Sequence, residues 1–541
     1  MRLPDRLAPV VSRYPDNIAL CCKGRMLSYA DLWKQSDAIA HWLQSRRVHP
    51  GDRVGILADH GIEPVVIIWA ALKAGAVVVC LNEYLQSGSL KEILIDCEPA
   101  VIFTTRHYLE RRLELLDRPF SFDTVVIDQD FDDLVRYPVP ADWGGRSETE
   151  GAGDGNIAAI VYTSGSMGRP KGVCLSHRNL LTVSRLDSQR LNISARDVYL
   201  MLVPLHYVHG LLQLLVHLLH GAAVHMAGGF LFPRAIVRYI AGHGITALSG
   251  VPFHINALID RGGLLDTCLP GLRWLAITGG KLAADRLVEL RRRQPGVEIF
   301  VTYGQTECSP RISMLDPAKI GRKPESVGTP PEGIRVSVVD ETGRPLPVGE
   351  IGEVVVKGDN VMNGYWRNPE DTARVIDRDG WLHTGDLGWF DAEGDLYLAG
   401  RKQAMIKSAG ERIFPEELER IIAEHPAVAD VAVIGVPDAF YGQRVEADVQ
   451  VAGNQPMIDD GLREDIRAYC LVRIPFARAP KRFRLWRTLP RKANGKIDRQ
   501  ALIQLSINSS AVTIGGEVPL SHLPVEQPGE RDVKVEELRN A

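Results

Sequence analysis

Residues 162–173 read Y-T-S-G-S-M-G-R-P-K-G-V and follow an apolar run, Ile157 to Val161, of the kind that forms a buried strand. Thr163, Ser164 and Ser166, the glycines Gly165, Gly168 and Gly172, and Lys171 crowd into one short turn. Glycine lets backbone N–H groups face an anion at close range, hydroxyls add donors, and a lysine supplies charge for a polyphosphate. The stretch is not a Walker loop, because Pro170 stands where that pattern needs the glycine before the lysine. On its own it would equally suit a solvated Gly/Ser hairpin. The surrounding chain decides between the two.

Upstream, the spacing predicts a short hairpin over 18–28, an amphipathic helix over 29–44, a strand at 54–57, a helix over 62–73 and a strand at 76–81. Downstream, strands are expected at 198–205, 222–226, 247–251, 274–278 and 298–303, with a nearly wholly apolar helix over 209–220. Strands alternating with helices imply parallel, doubly wound sheets. Between 333 and 357 the period shortens to near-alternation, as in an antiparallel unit. Beyond Gly400-Arg401-Lys402-Gln403 lies a run of about a hundred residues with its own α+β punctuation. The expectation is an α/β fold: residues 1–400 form two doubly wound subdomains plus a β-subdomain, 401–505 a small α+β domain on a hinge, and 506–541 a flexible tail.

With 541 residues, 45% of them hydrophobic, the chain can bury several cores. A net charge of −4 gives no electrostatic reason to expect nucleic acid as a partner. The charged residues Arg2, Asp5, Arg6 and Arg13 break up the start, so no signal peptide or membrane anchor is expected there, and no later run suits a bilayer span. The eight cysteines show no paired spacing and read as reduced, mostly buried thiols in a cytoplasmic protein.

Four further stretches carry chemistry. Tyr303-Gly304-Gln305-Thr306-Glu307 sits at the carboxyl end of an expected strand, where open α/β sheets bind ligands. Trp381 to Asp386 ends in Thr-Gly-Asp, a carboxylate on a tight turn. Pro204 to Gly210 places two histidines in one loop, and Pro490 to Arg499 carries Lys496 on a glycine-tipped basic loop.

Together with the 162–173 turn, these stretches resemble, in order, the motifs of the adenylate-forming superfamily of acyl- and aryl-CoA synthetases, stand-alone adenylation enzymes and firefly-type luciferases. The resemblance runs from about Pro15 to Leu502. It implies that Thr163, Ser164, Gly165, Ser166, Gly168 and Lys171 cradle the phosphates of ATP. It also implies that Tyr303 stacks on adenine, that Gly279, Gly280 and Lys281 flank the base, and that Asp386 and Arg401 take the ribose. Thr306 would contact the α-phosphate, and Glu307 with Thr163 would hold Mg2+. His206 would line the entry of the acid's carboxylate, and His209, Val251, Phe253, Gly304 and Cys308 would wall a largely apolar pocket. Lys496 would stabilise charge in the adenylation step. Lys407, Ser408, Ala409 and Gly410 would line the thiol tunnel. Gln403 occupies the hinge, with Ala404 beside it; the family commonly has Asp or Lys at the first position and an acid at the second, so the balance between two domain orientations is in question. No Asp follows the 204–210 loop in the place that anchors an α-amino group, which argues against an ordinary amino acid substrate.

The resemblance thus implies a ligase that converts a small carboxylic acid and MgATP to acyl-AMP and pyrophosphate, then passes the acyl group to a thiol. Coenzyme A is the favoured acceptor, and the phosphopantetheine of an acyl carrier protein is the alternative. A luciferase-like oxygenase and a non-catalytic nucleotide-binding protein stay open as other classes. Either a monomer or a homodimer is compatible with the sequence.

Overall fold

The computed structural model describes residues 1–512, apart from 84, 86, 112–121, 141–142, 144–152, 154, 165–169, 227–231, 403, 409–410, 439–440, 454–458, 475, 477 and 492–495. The chain divides into two compact units, Met1–Gln403 and Ala404–Ala541.

The first unit holds three sheets. One orders its strands Gly364–Tyr365, Pro170–Ser176, Ile157–Ser164, Val77–Cys80, Arg53–Leu57, Val101–Thr104 and Asp123–Val126. Its middle strands are continuous apolar runs, as parallel strands covered on both faces must be. It is not wholly parallel. Ile157–Ser164 and Pro170–Ser176 pair antiparallel, with Thr163 opposite Lys171 and Ser164 opposite Pro170, so the glycine-rich turn is the tip of a hairpin. Beside this sheet, helix Ile62–Lys73 is buried at nearly every position. Its last residue, Lys73, places Nζ 2.7 Å from Asp37 Oδ1 and 2.9 Å from the Trp33 carbonyl oxygen. Lys73 is therefore a packing anchor between this helix and the helix that carries Trp33 and Asp37.

The second sheet has eight strands: Ser313–Leu315, Glu298–Tyr303, Trp274–Ile277, Ala247–Gly250, Val198–Met201, Ala223–Met226, Ile18–Cys22 and Arg25–Ser28. The last two form the N-terminal hairpin expected over 18–28. Ile18–Cys22 runs parallel to Ala223–Met226, Leu20 opposite Val224, because its apolar residues need cover on both faces. Helix His177–Leu191 starts at a Ser176/Asn179 capping box and stops at Asn192, which adopts a left-handed conformation. Helix Val208–Leu218 is buried on all sides, as its composition required. The third sheet, Arg335–Val339, Gly352–Lys357, Leu382–Phe390 and Leu396–Arg401, is antiparallel throughout.

In the second unit, helices Pro415–Ala423 and Asp460–Arg473 pack on a sheet built around the long pair Val428–Asp438 and Gly442–Val451. Flexible tail was expected from 506, but helix Arg499–Val512 continues past that point. Ser506 is buried and donates to Glu446 Oε2 at 2.6 Å, which holds the extra turns down. No helix among the described residues is long and apolar enough to cross a membrane.

Candidate active site

Strand Glu298–Tyr303 ends at the carboxyl edge of the eight-stranded sheet and turns sharply at Gly304. A Cβ on Gly304 would lie 2.2 Å from the Pro310 carbonyl oxygen, so only glycine lets the loop fold back on itself. The fold-back includes a short 3-10 turn over Thr306–Cys308. Cys308 lies fully buried beneath it, and burial pushes its thiol well above the ordinary range.

Tyr303 is buried and its hydroxyl donates to Asp386 Oδ2 at 2.6 Å. The other carboxylate oxygen lies 2.6 Å from Arg401 Nε, its cross-strand partner in the antiparallel sheet. Thr384 Oγ1 accepts from the Asp386 N–H and donates to the Val354 carbonyl oxygen, fixing the turn. Burial raises the Asp386 carboxyl, while Arg401 and Tyr303 oppose the shift. The Tyr303 phenol rises further, by burial and by the adjacent carboxylate, and stays protonated. Tyr303, expected as a stacking ring, thus also pins the Asp386 carboxylate. Gly279, at φ +70°, and Gly280 follow strand Trp274–Ile277 and lie against Val251 and Pro252. Lys281 is exposed and reaches Glu325.

On the phosphate hairpin, Thr163 Oγ1 faces the Lys171 carbonyl oxygen at 3.5 Å, and Lys171 Nζ sits 2.7 Å from Asp371 Oδ2. That ammonium holds the Asp371 carboxyl below the usual range. The same Nζ lies 5.0 Å from the Tyr365 ring centroid, and the Tyr365 hydroxyl donates to Glu307 Oε1 at 2.9 Å. Tyr365 therefore joins the hairpin lysine to the expected metal-binding carboxylate. Gly165, Ser166 and Gly168, and the Ser164 side chain, lie outside the described residues. No group of three or more His, Cys, Asp or Glu that could hold a metal occurs among the described residues. Glu307 fits Mg2+ in its usual mode, one or two carboxylates with substrate phosphates completing the shell.

At the acid end the two loop histidines diverge. His206 Nδ1 lies 3.1 Å from Glu83 Oε2, both groups buried, and His206 Nε2 has no hydrogen-bond partner among the described residues. His209 Nε2 lies 2.7 Å from the Ser249 hydroxyl, which in turn meets the Tyr199 hydroxyl at 2.5 Å. Burial first, then the charge of Arg311, pushes His209 down to about 3, so it is a neutral polar wall. Phe253 corrects the expectation: it is 68% exposed, because Ile255 takes the buried position of the short helix Pro252–Ala257. Val251 caps that helix and touches the Gly279 turn.

In the second unit Lys407 and Ser408 form strand Ile406–Ser408, with Ser408 buried. The Lys407 side chain, Ala409, Gly410 and Gln403 lie outside the described residues. Lys496 is exposed just before Ile497, which bridges to Arg491. Sequence reasoning missed Glu83, Tyr365, Asp371 and Arg311, whereas Ser249 falls in the stretch 249–254 expected to line the pocket. Nothing local marked the Glu83 carboxylate as buried.

The matches to known proteins follow the same two units. The AMP-binding enzyme model matches residues 7–366 and the AMP-binding enzyme C-terminal domain model 417–496. Feruloyl-CoA synthase from Amycolatopsis sp is 32% identical over 88% of this chain and 93% of its own. The crystal structure of o-succinylbenzoate CoA synthetase from Bacillus subtilis with its acyl-adenylate intermediate superposes with a TM-score of 0.81 at 28% identity, covering 92% of this chain and 98% of that one. The same synthetase with ATP and a magnesium ion gives 0.79 at 28% identity, over 92% and 98%. With a family model matching well over half its length, the chain belongs to the AMP-binding enzyme family.

Proposed function

We propose that this protein is an AMP-forming acid–CoA ligase: it joins a carboxylic acid to the α-phosphorus of ATP, releasing pyrophosphate, and then transfers the acyl group to the thiol of coenzyme A with release of AMP. The observation that carries this reading is the convergence of Tyr303, Asp386 and Arg401 on one carboxylate network, beside a hairpin lysine and Glu307 joined through Tyr365.

Asp386 can accept two ribose hydroxyls, since each carboxylate oxygen keeps a second acceptor position after bonding Tyr303 or Arg401. Lys171 exchanges Asp371 for phosphate oxygens, a trade of one anion for another that costs little desolvation. Glu307 would hold Mg2+, whose charge offsets that of the phosphates. The acid's carboxylate is itself the nucleophile, so no side chain need form a covalent bond. The protein's work is positioning and charge stabilisation. In this reading His206 faces the incoming carboxylate with Nε2, and Lys496 bridges it to the α-phosphate. Residues 407–410 line the thiol path, Gln403 is the hinge, and the smaller domain moves between the two steps. The favoured thiol is coenzyme A, as for the CoA ligases that the chain resembles. The free cysteines, seven of them shielded from solvent to some degree, support a reducing cytoplasmic setting.

The test is acid-dependent pyrophosphate release with MgATP across aryl, short-chain and long-chain acids, with and without coenzyme A. Release on at least one acid, thioester only with coenzyme A, and a fall of about 10²- to 10³-fold for Lys496→Ala in the first step are the expected results. Adenylate that accumulates despite coenzyme A would move the acceptor to a carrier protein, and no release on any acid would refute the ligase reading.

A further inference from the structure

Lys171 lies near the start of the returning strand of the phosphate hairpin, Pro170–Ser176, and the edge strand beside it, Gly364–Tyr365, sets Tyr365 opposite Val173. The chain then enters helix Pro369–Val375, with Asn368 as its cap and Asp371 in its first turn. Two bonds fix the approach: the Tyr365 N–H donates to Thr372 Oγ1 at 2.9 Å, and the Thr372 hydroxyl donates to the Asn368 carbonyl oxygen at 2.7 Å. This frame delivers Asp371 to the hairpin, where Oδ2 meets Lys171 Nζ at 2.7 Å with both side chains partly buried.

The two partners are unequally committed. Asp371 keeps other bonds if the lysine leaves, from Arg374 Nη1 at 2.7 Å and from Asn368 Nδ2 at 3.2 Å. Lys171 has Asp371 as its only acidic partner among the described residues, with the Tyr365 ring centroid 5.0 Å away. The ammonium expected to meet a polyphosphate is therefore already neutralised by a carboxylate. A ligand gains the lysine only by displacing that carboxylate, so its apparent affinity is lowered by the fraction of protein in which the pair is closed. The displaced Asp371 is not stranded, and it stays within reach to close the pair again.

We propose that Asp371 is an internal competitor for Lys171: it holds the ammonium in the empty site, yields it to the β- and γ-phosphates of ATP, and takes it back as pyrophosphate leaves. The inference rests on the ligase reading and deepens it, by adding a residue that governs release of the first product. Asp371 touches no substrate atom in this scheme. It acts through Lys171 and is a positioning residue. AMP carries neither of the phosphates that compete with Asp371, so the device discriminates between the two products.

The experiment uses Asp371→Asn in the full-length protein, a change that keeps the shape and an acceptor oxygen but removes the charge. Asp371→Ser serves as a second uncharged variant, and melting temperatures establish that each is folded. Calorimetric titration should show MgATP binding about three- to tenfold tighter than in wild type, the range for losing one partly exposed charged partner, with AMP binding level. In turnover, pyrophosphate should inhibit the variant at a correspondingly lower concentration, and added inorganic pyrophosphatase should relieve that inhibition. A cycle with Lys171→Met isolates the pair: once the ammonium is gone, Asp371→Asn should leave MgATP affinity unchanged. The inference is overturned if the folded Asp371 variants bind MgATP no more tightly and are no more sensitive to pyrophosphate, if AMP binding tightens equally, or if the gain persists in the Lys171→Met background. In each of those cases the ligase reading stands. Absence of pyrophosphate release with every acid would instead remove the ligase reading, and this inference with it.

Discussion

The two ends of the first unit's site treat polar groups in opposite ways. At the nucleotide end Tyr303, Asp386 and Arg401 satisfy one another, and Thr384 ties their turn to the neighbouring strand. At the acid end His206 Nε2, His209 Nδ1 and Arg311 Nη1 are buried and have no hydrogen-bond partners among the described residues. A closed network is rigid before its ligand arrives and can serve any substrate that shares the same nucleotide. Unmet donors and acceptors in a dry pocket do the reverse, since each penalises a substrate that cannot satisfy it. Generic affinity would thus sit at one end and acid selectivity at the other.

The sharpest way to break that contrast is Asp386→Ala. The change removes the proposed ribose acceptor and also leaves the buried Tyr303 hydroxyl and the Arg401 guanidinium without their shared partner. Steady-state kinetics should show kcat/KM for MgATP falling by about 10²- to 10³-fold, with the ranking of acids unchanged. If the ranking of acids shifts instead, the two ends are not independent.

A second test uses acid. His209 and His217 are fully buried and pushed down to about 3 and about 4, burial being the main cause in both. In the unfolded chain each would titrate near 6.5. Below that pH the unfolded state takes up protons that the folded state cannot accept, so stability falls with pH from about 6.5 down to the folded values. At pH 5 each histidine should cost about 2 kcal/mol relative to neutral pH. Asp386 works in the opposite sense, since a carboxyl raised above 3.8 loses stability as pH rises through its range. Denaturant unfolding of the protein at pH 7.5 and pH 5 measures the difference, and His217→Gln should flatten part of it. Equal stability at the two pH values would mean that these rings are not held neutral in the fold.

Much of this was legible in the sequence, and the failures have physical causes. Strand Glu298–Tyr303 and helix Ile62–Lys73 fall where apolar runs and their flanking breakers put them. The N-terminal hairpin was legible as a hairpin but not as part of the eight-stranded sheet, because pairing Leu20 with Val224 is a long-range event with no local sign. Phe253 was misplaced since a six-residue helix shows too little periodicity to tell its inner face from its outer one. Tyr303 and Asp386 were found by motif, but their bond to each other, across 83 residues, was not. Arg311 was invisible for a related reason. A charged residue reads as surface unless its counter-ion is known, and Asp187 is 124 positions away.

The smallest effect should come from Glu83, and it probes the acid end at the atom closest to the chemistry. Glu83 and His206 are both buried, and the carboxylate faces Nδ1 at 3.1 Å. An acceptor there favours a proton on Nδ1 and orients the ring. A carboxylate does this more firmly than a neutral acceptor, because a charge-assisted hydrogen bond is the stronger one. Glu83→Gln keeps the shape and a hydrogen bond but removes the charge. The loss of one charge-assisted bond is worth roughly a tenfold change, and it should appear in KM for the acid while KM for MgATP stays level. The melting temperature separates this from a packing defect: the charge effect leaves it level, whereas a packing defect lowers it. An unchanged KM for the acid would reduce the pair to a structural contact.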